Sequence, residues 1–321
     1  MKVAAVVVAV ALGFASAVQA QSPSASETQA PRPTFKSTSS LVALNVTVTD
    51  SAAKYVSGLQ PTDFVVFEDG VKQDVQFFES AAVPVDLIVL IDTSSSMSDK
   101  VDVVREAATG FLNSLRPGDR GAVVTFADSV HVVQPLTEDR ELLRQAVRKS
   151  GAHGETALYN AVYISLKEFG QAAHGAHEVR RQAIVVLSDG QDTASLVSLD
   201  DVMAVARRMA VNIYTVALQS RSVSPRGDEA AARRASADGD QAMKAMARET
   251  GAQAFFPTAV DLKRVYSTIA TELAHQYSIG YVPVDSRPDG RFRRVIVQII
   301  TQPGLHPRTR PGYTAEGRTL N

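Results

Sequence analysis

Residues 85–92 read Val-Asp-Leu-Ile-Val-Leu-Ile-Asp, a nearly continuous apolar run that opens onto Asp92-Thr93-Ser94-Ser95-Ser96. A strand with one wet face alternates apolar and polar residues. A run without that alternation suits a strand covered on both sides, the usual situation in a parallel sheet flanked by helices. Further strand candidates follow at residues 121–126, 130–133, 182–187, 211–218 and 252–256, and helix candidates at 101–115, 140–149, 157–171, 199–210, 241–249 and 260–274. Strands alternating with helices predict an α/β fold, doubly wound, with a mostly parallel sheet. The stretch 130–133 lies a short turn after its predecessor. A parallel crossover needs a dozen or more residues, so this strand is expected to be an antiparallel edge.

The flanks have a different character. Residues 41–49 (LVALNVTVT) place Val42, Leu44, Val46 and Val48 on one face, the pattern of a half-buried strand. Residues 64–67 and 71–78 read as two strands joined across Glu68-Asp69-Gly70, where Asp-Gly between apolar runs signals a hairpin. Past Gln276, YSIGYVPV and RRVIVQII surround Pro288-Asp289-Gly290, a turn sequence. Strands at both ends of an α/β middle predict one small β module built from the two flanks. The organisation expected is a signal peptide (1–20), a flexible leader (21–40), an N-terminal β segment (41–82), the α/β domain (83–276) and a C-terminal β segment (277–321).

The first twenty residues carry Lys2, an Ala- and Val-rich run to Val18 and a small-residue end at Ala20. That order fits a cleaved secretory signal, and the run is shorter than the roughly 20 residues of a spanning helix. Residues 21–40, rich in Ser, Pro, Thr and Gln, hold few large apolar groups with which to offset chain entropy. The expectation is an exported protein, periplasmic or secreted, without a membrane span after cleavage. Lys and Arg total 33 against 34 Asp and Glu, so no net field draws the chain to nucleic acid. There is no cysteine, which excludes disulfides, thiolate zinc sites, cysteine nucleophiles and lipid attachment at cysteine.

Open parallel sheets bind ligands at the carboxyl ends of their strands. Asp92, Ser94 and Ser96, at alternate positions of a tight strand-to-helix loop, place three oxygens where they can converge. Carboxylate and hydroxyl are hard donors suited to Mg²⁺ and, less selectively, Mn²⁺ or Ca²⁺. Thr156 and Asp189, each near the end of another element, can supply more. Taken alone, the Asp92 loop reads more readily as helix capping and a local turn, and Asp189-Gly190 equally as an ordinary turn.

Asp92-x-Ser94-x-Ser96 after an apolar strand, then Thr156, then Asp189-Gly190 after another apolar strand, resembles the von Willebrand factor type A domain and its metal-ion-dependent adhesion site. The resemblance spans about residues 85–275. The flanks VTVTD…LQPTDFVVFEDGVKQDVQFF and QYSIGYVPV…DGRFRRVIVQ…RPGY resemble a bacterial subgroup of exported proteins with that domain. It implies that Ser94 and Ser96 bind Mg²⁺ directly, that Thr156 joins when a ligand is engaged, and that Asp92 and Asp189 act mainly through bound waters. An acidic group of a partner would complete the octahedron. Glu155 departs from the family's frequent Gly-Gly-Thr.

The implied function is metal-dependent recognition of an extracytoplasmic protein, or a surface polymer, presenting a carboxylate, with no enzymatic step. Two other classes stay open: an envelope-assembly component whose ion only stabilises it, and a hydrolase using a metal-activated water, with Glu155, His153 or Asp192 as base. An aspartyl phosphotransferase would want a second Asp at position 94, which is Ser. A serine hydrolase would want glycines flanking Ser94 or Ser96. His174 and His177 have no third ligand nearby in sequence, and Arg226-Gly227-Asp228 is a tripeptide common by chance. Residues 219–240 read as a charged insertion that emerges beside the metal and shapes the ligand face. Arg291, Arg293, Arg294, Arg308 and Arg310 read as guards of exposed strand edges.

Overall fold

The computed structural model describes residues 41–80, 83–150, 154–173, 179–189, 191–218 and 229–315. The expected signal peptide and leader, His153, His174, His177 and Arg226-Gly227-Asp228 lie outside them.

Strand β1 (Val42–Thr49) buries the apolar face its alternation marks. Strands β2 (Phe64–Glu68) and β3 (Val71–Gln73) are joined through Asp69 (φ 46°) and Gly70 (φ 83°). Positive φ at both central residues is the turn whose twist matches that of its strands. The single strand expected over 71–78 divides at Asp74. β3 stays beside β2, whereas β4 (Val75–Ser80) joins the other sheet of the module. A strand that changes sheets in this way makes the corner of a sandwich.

The middle of the chain runs β5 (Val85–Asp92), α1 (Val101–Asn113), β6 (Arg120–Phe126), β7 (Val130–Thr137), α2 (Arg140–Arg148), α3 (Leu158–Ala173), β8 (Arg181–Ser188), α4 (Leu199–Arg208), β9 (Val211–Ala217), α5 (Glu229–Glu249), β10 (Ala254–Phe255) and α6 (Leu262–His275). The sheet order is β10-β9-β8-β5-β6-β7. All pairs are parallel except β6 with β7, the antiparallel edge expected from its short connection. Every residue of β5 is buried. Leu87, Val89 and Ile91 pack in one layer with Phe111, Leu112 and Ile269, and Ile88 and Leu90 in the other with Leu158, Val162 and Met243. Helices on both faces explain why β5 shows no alternation.

Helix α5 begins twelve positions before the expected start at 241. Its first turns (EAAARRA) are strong helix formers, and residues 234–238 are exposed, so they carry no apolar stripe to reveal the helix. The insertion expected over 219–240 is therefore helical from Glu229, and residues 219–228 lie outside the described part. The strand expected at 252–256 contracts to β10.

After α6 come β11 (Tyr277–Tyr281), β12 (Phe292–Ile299), β13 (His306–Arg308) and β14 (Gly312–Thr314). Two antiparallel four-stranded sheets, β13-β1-β11-β4 and β14-β12-β2-β3, mix strands of both flanks. Leu44, Val46, Phe64, Val66, Ile279 and Val295 share one core between them. The flanks thus form one β module, as expected.

The C-terminal arginines do not behave as a set of edge guards. Arg293 is buried and pairs with Asp285 at 2.7 Å and Asp289 at 3.0 Å. Arg310 donates to the carbonyls of Ala43 (2.9 Å) and Met209 (3.3 Å), joining the module to the end of α4. Burial pulls its guanidinium down to about 10, so it stays charged at neutral pH. Arg308 pairs with Glu272 at 2.6 Å. Glu272, fully buried in α6, also accepts from Tyr214 (2.7 Å), Tyr55 (3.2 Å) and Thr47 (3.3 Å). The five-donor guanidinium fork suits such junctions. Arg291 and Arg294 are exposed and remain compatible with the edge role.

Candidate functional site

β5 is the strand at which the sheet order reverses, with β6 on one side and β8 on the other. The carboxyl end of such a strand opens into a crevice, because the connections on its two sides leave in opposite directions. Asp92 is the last residue of β5 and is 1% exposed. Thr93 turns the chain toward β6, with its N–H and Oγ1 donating to the Phe126 carbonyl at 2.8 and 3.0 Å. A single 3₁₀ turn, Ser95–Met97, follows, pinned by the fully buried Met97.

The Asp92 carboxylate is held from two sides. Oδ1 accepts from the Ser94 N–H at 2.8 Å, and Oδ2 from Ser188 Oγ, at the end of β8, at 2.5 Å. Ser94 Oγ and Ser96 Oγ are 3.1 Å apart. Ser94 is buried and Ser96 exposed, so the pair runs from the interior to the surface. Burial pushes the Asp92 carboxyl above its ordinary value, and the charge of Asp189 pushes the same way against the hydrogen bonds of Ser188 and Ser94. Asp189, half-buried, is thus within electrostatic reach of Asp92.

The third segment is brought in by backbone bonds. Ser95 donates from both N–H and Oγ to the Gly154 carbonyl, each at 3.1 Å. Ala157 N–H donates to the Ala127 carbonyl at 2.7 Å, beyond β6. Gly154 has φ +87°, and a Cβ there would lie 3.2 Å from the Asp128 carboxyl carbon. Both the backbone conformation and the close approach favour glycine. Thr156 is buried and clamped to the loop that follows Asp189. Its N–H donates to Thr193 Oγ1 (3.0 Å), and its carbonyl accepts from the N–H groups of Thr193 (2.8 Å) and Ala194 (3.1 Å).

The loops carrying Asp92, Ser94 and Ser96, Thr156, and Asp189 therefore meet at one sheet edge, by direct contact or through a single intervening residue. Sequence reasoning missed Ser188, Thr193 and Asp128. Ser188 had a signal, since it precedes Asp189 at the end of the same apolar run; the others are loop residues whose contacts depend on the fold. Asp192 is engaged structurally, with Oδ1 accepting from Tyr159 N–H (3.2 Å) and Ser195 Oγ (2.6 Å) at the start of α3. Glu155 is exposed.

The donor set fits a hard cation. It consists of the buried Asp92 carboxylate, the Asp189 carboxylate within its electrostatic reach, and hydroxyls at close spacing. Adjacent ligands of an octahedral Mg²⁺ with bonds of about 2.1 Å lie about 3 Å apart, the separation of the two serine hydroxyls. Among the described residues no three His, Cys, Asp or Glu side chains form a metal-binding group. A site here would rest on hydroxyls as much as on carboxylates.

The family model of the von Willebrand factor type A domain matches residues 86–267, more than half of the chain. The chain belongs to this family. Among curated relatives, an uncharacterized protein of Borreliella burgdorferi is 26% identical over 145 residues, 42% of this chain and 41% of the relative. A UPF0353 protein of Mycolicibacterium gilvum is 26% identical over 144 residues, 42% of each chain. The human voltage-dependent calcium channel subunit alpha-2/delta-4 is 27% identical over 128 residues, 36% of this chain and 11% of the relative. The chain thus spans less than half the length of each of these relatives. Among solved structures, a von Willebrand factor type A protein from Catenulispora acidiphila covers 88% of this chain and 74% of its own at 13% identity and TM-score 0.48. The vWF domain of the type V pili tip protein Mfa5 from Porphyromonas gingivalis covers 59% and 94% at 14% identity and TM-score 0.47.

Proposed function

We propose that this von Willebrand factor type A protein is an exported binding module that recognises a partner's acidic group through a divalent cation, Mg²⁺ in the first place. The observation that carries the reading is the buried Asp92 carboxylate, held by Ser94 and Ser188 beside the like charge of Asp189, at the switch point of the sheet. Ser94, Ser96 and Thr156 would offer hydroxyls, and Asp92 and Asp189 would hold the waters around the ion. When bound, the cation supplies a concentrated positive charge for an incoming carboxylate. One ionic contact gives modest, salt-sensitive affinity, so neighbouring loops supply the rest. The loop after Asp189 is suited to this. Asn160 Oδ1 accepts from the N–H groups of Leu196 (3.0 Å) and Val197 (3.2 Å), which fixes the backbone while Leu196 stands 95% exposed.

No enzymatic step is part of this reading. Asp192 is committed to the start of α3, and Glu155 stands exposed. Among the described residues no helix is long and apolar enough to cross a membrane; export rests on the N-terminal sequence.

The test is calorimetric titration with Mg²⁺ and Mn²⁺, combined with pull-down from the native envelope with and without chelator. Cation binding, and a partner retained in Mg²⁺ and released by chelator, are expected for the wild type. Asp92→Ala should stay folded and lose both. Undiminished partner binding by folded protein in chelator would overturn the proposal. A cation that raises the melting temperature without affecting partner binding would point instead to a purely stabilising ion.

A further inference from the structure

Paired residues of adjacent strands lie on the same face of a sheet, and successive residues on opposite faces. Ile91 of β5 pairs with Leu187 of β8, and both point into the layer that holds Phe111. One step later, Asp92 and Ser188 therefore point to the other face, which α3 covers with Leu158 and Val162. The register continues this row outward. Asp92 pairs with Phe126 of β6, and Ser188 with Ala217 of β9. All four residues are buried. A phenyl ring stands on one side of the Asp92 carboxylate, and beyond Ser188 the row ends in a methyl group. Within the row, the Ser188 hydroxyl is the one polar side chain beside Asp92.

The two oxygens of that carboxylate are turned to different donors. Oδ1 accepts from the Ser94 N–H of its own loop at 2.8 Å, and Oδ2 from Ser188 Oγ on the neighbouring strand at 2.5 Å. Asp189 is held more loosely, with Oδ1 3.5 Å from the Gln191 nitrogen. Ca²⁺ takes about six to eight oxygens in adaptable geometry and often gains the extra ones from a bidentate carboxylate. Mg²⁺ demands a near-ideal octahedron and keeps several of its waters. For Asp92 to turn both oxygens onto one ion, the carboxylate must rotate, and rotation breaks the Ser188 bond. A hydrogen bond to a charged group opposes that loss by roughly a factor of ten or more.

We propose that Ser188 is a positioning residue that fixes the attitude of Asp92 and thereby selects a small octahedral cation, Mg²⁺ or Mn²⁺, over Ca²⁺. The inference rests on the divalent-cation site of the proposed function and names what decides which ion that site takes. Ser188 acts through Asp92. A hydroxyl that served only to satisfy the end of β8 would, when removed, weaken every cation alike. One that holds the carboxylate in a single attitude changes the ratio between cations.

The test is calorimetric titration of the full chain with Mg²⁺, Mn²⁺ and Ca²⁺ in turn. Heat that persists in Asp92→Ala is set aside as binding elsewhere. Wild type is expected to bind Mg²⁺ and Mn²⁺ at least about tenfold more tightly than Ca²⁺. Ser188→Ala should lower the ratio of the Ca²⁺ to the Mg²⁺ dissociation constant about tenfold. Ser188→Thr, which keeps the hydroxyl, should hold that ratio near the wild-type value. Melting temperatures in chelator check that each variant is folded. Should Ser188→Ala fail to fold, Ser188→Cys, of similar size but a much weaker donor, is read in its place. A wild type that binds Ca²⁺ as tightly as Mg²⁺ overturns the inference and leaves the cation site standing. So does a Ser188→Ala that weakens all three cations equally. A wild type that binds none of the three overturns the proposed function, and this inference with it.

Discussion

Asp92 carries two opposed demands. Its position at the end of a fully buried strand puts a carboxylate where water is scarce, and Asp189 adds a like charge nearby, so its proton is held above the ordinary value. A carboxyl whose folded value is raised contributes to stability below its ordinary value. That contribution is lost as pH climbs through the raised one. Near neutrality, and without a cation, Asp92 is therefore a liability to the fold. Asp92→Asn keeps an acceptor for Ser94 or Ser188 and removes the charge. In chelator at pH 7 its melting temperature should equal or exceed that of wild type, and the advantage should shrink as pH falls toward the ordinary carboxylate range. In Mg²⁺ the order should reverse, because only the wild type gains from the ion. A variant less stable than wild type in chelator would show that the carboxylate serves the fold and not a ligand.

Among elements, legibility followed burial symmetry. β5 could be read because two covered faces erase alternation, and β1 because one covered face imposes it. The Asp69-Gly70 turn could be read because positive φ at two successive positions restricts residue choice. Asp92, Ser94, Ser96 and Asp189 could be read as oxygen donors after apolar strands and Thr156 as one near the end of another element, whereas the bond from Ser188 to the Asp92 carboxylate became apparent only once β8 lay beside β5. The first half of α5 was missed because an exposed helix leaves no periodic apolar trace, and the break at Asp74 because both halves of that stretch are strand-like. Arg308 was misread for a similar reason. An arginine in a C-terminal strand looks like an edge guard until Glu272 of α6 is seen beneath it. Removing the half-buried Arg308 leaves the charge of the fully buried Glu272 uncompensated. Arg308→Ala should cost about 3 kcal/mol in urea unfolding. Arg308→Met combined with Glu272→Gln should recover most of the loss. A small effect for Arg308→Ala would mean that Tyr214, Tyr55 and Thr47 suffice to hold the carboxylate.

At the scale of the whole molecule, the β module and the α/β body are joined by bonds that neither can make alone. Glu272 binds Thr47, Tyr55 and Arg308 of the module together with Tyr214 of β9. Asn45 donates to Asn212 Oδ1 at 2.8 Å and to the Ala210 carbonyl at 3.1 Å, and Arg310 reaches Ala43 and Met209. β11 follows α6 after one residue and pairs with β1 from the other end of the described chain. Separating the two parts would strand buried polar groups on both sides, each unsatisfied group costing about 1–3 kcal/mol. Neither part should therefore melt first. Scanning calorimetry of the full chain should show one transition, with calorimetric and van't Hoff enthalpies in agreement. Hydrogen exchange should protect β1 and β11 to the same free energy as β5 and β8. Two resolved transitions, or a β module that exchanges freely while β5 stays protected, would show that these junction bonds tether two independent folds.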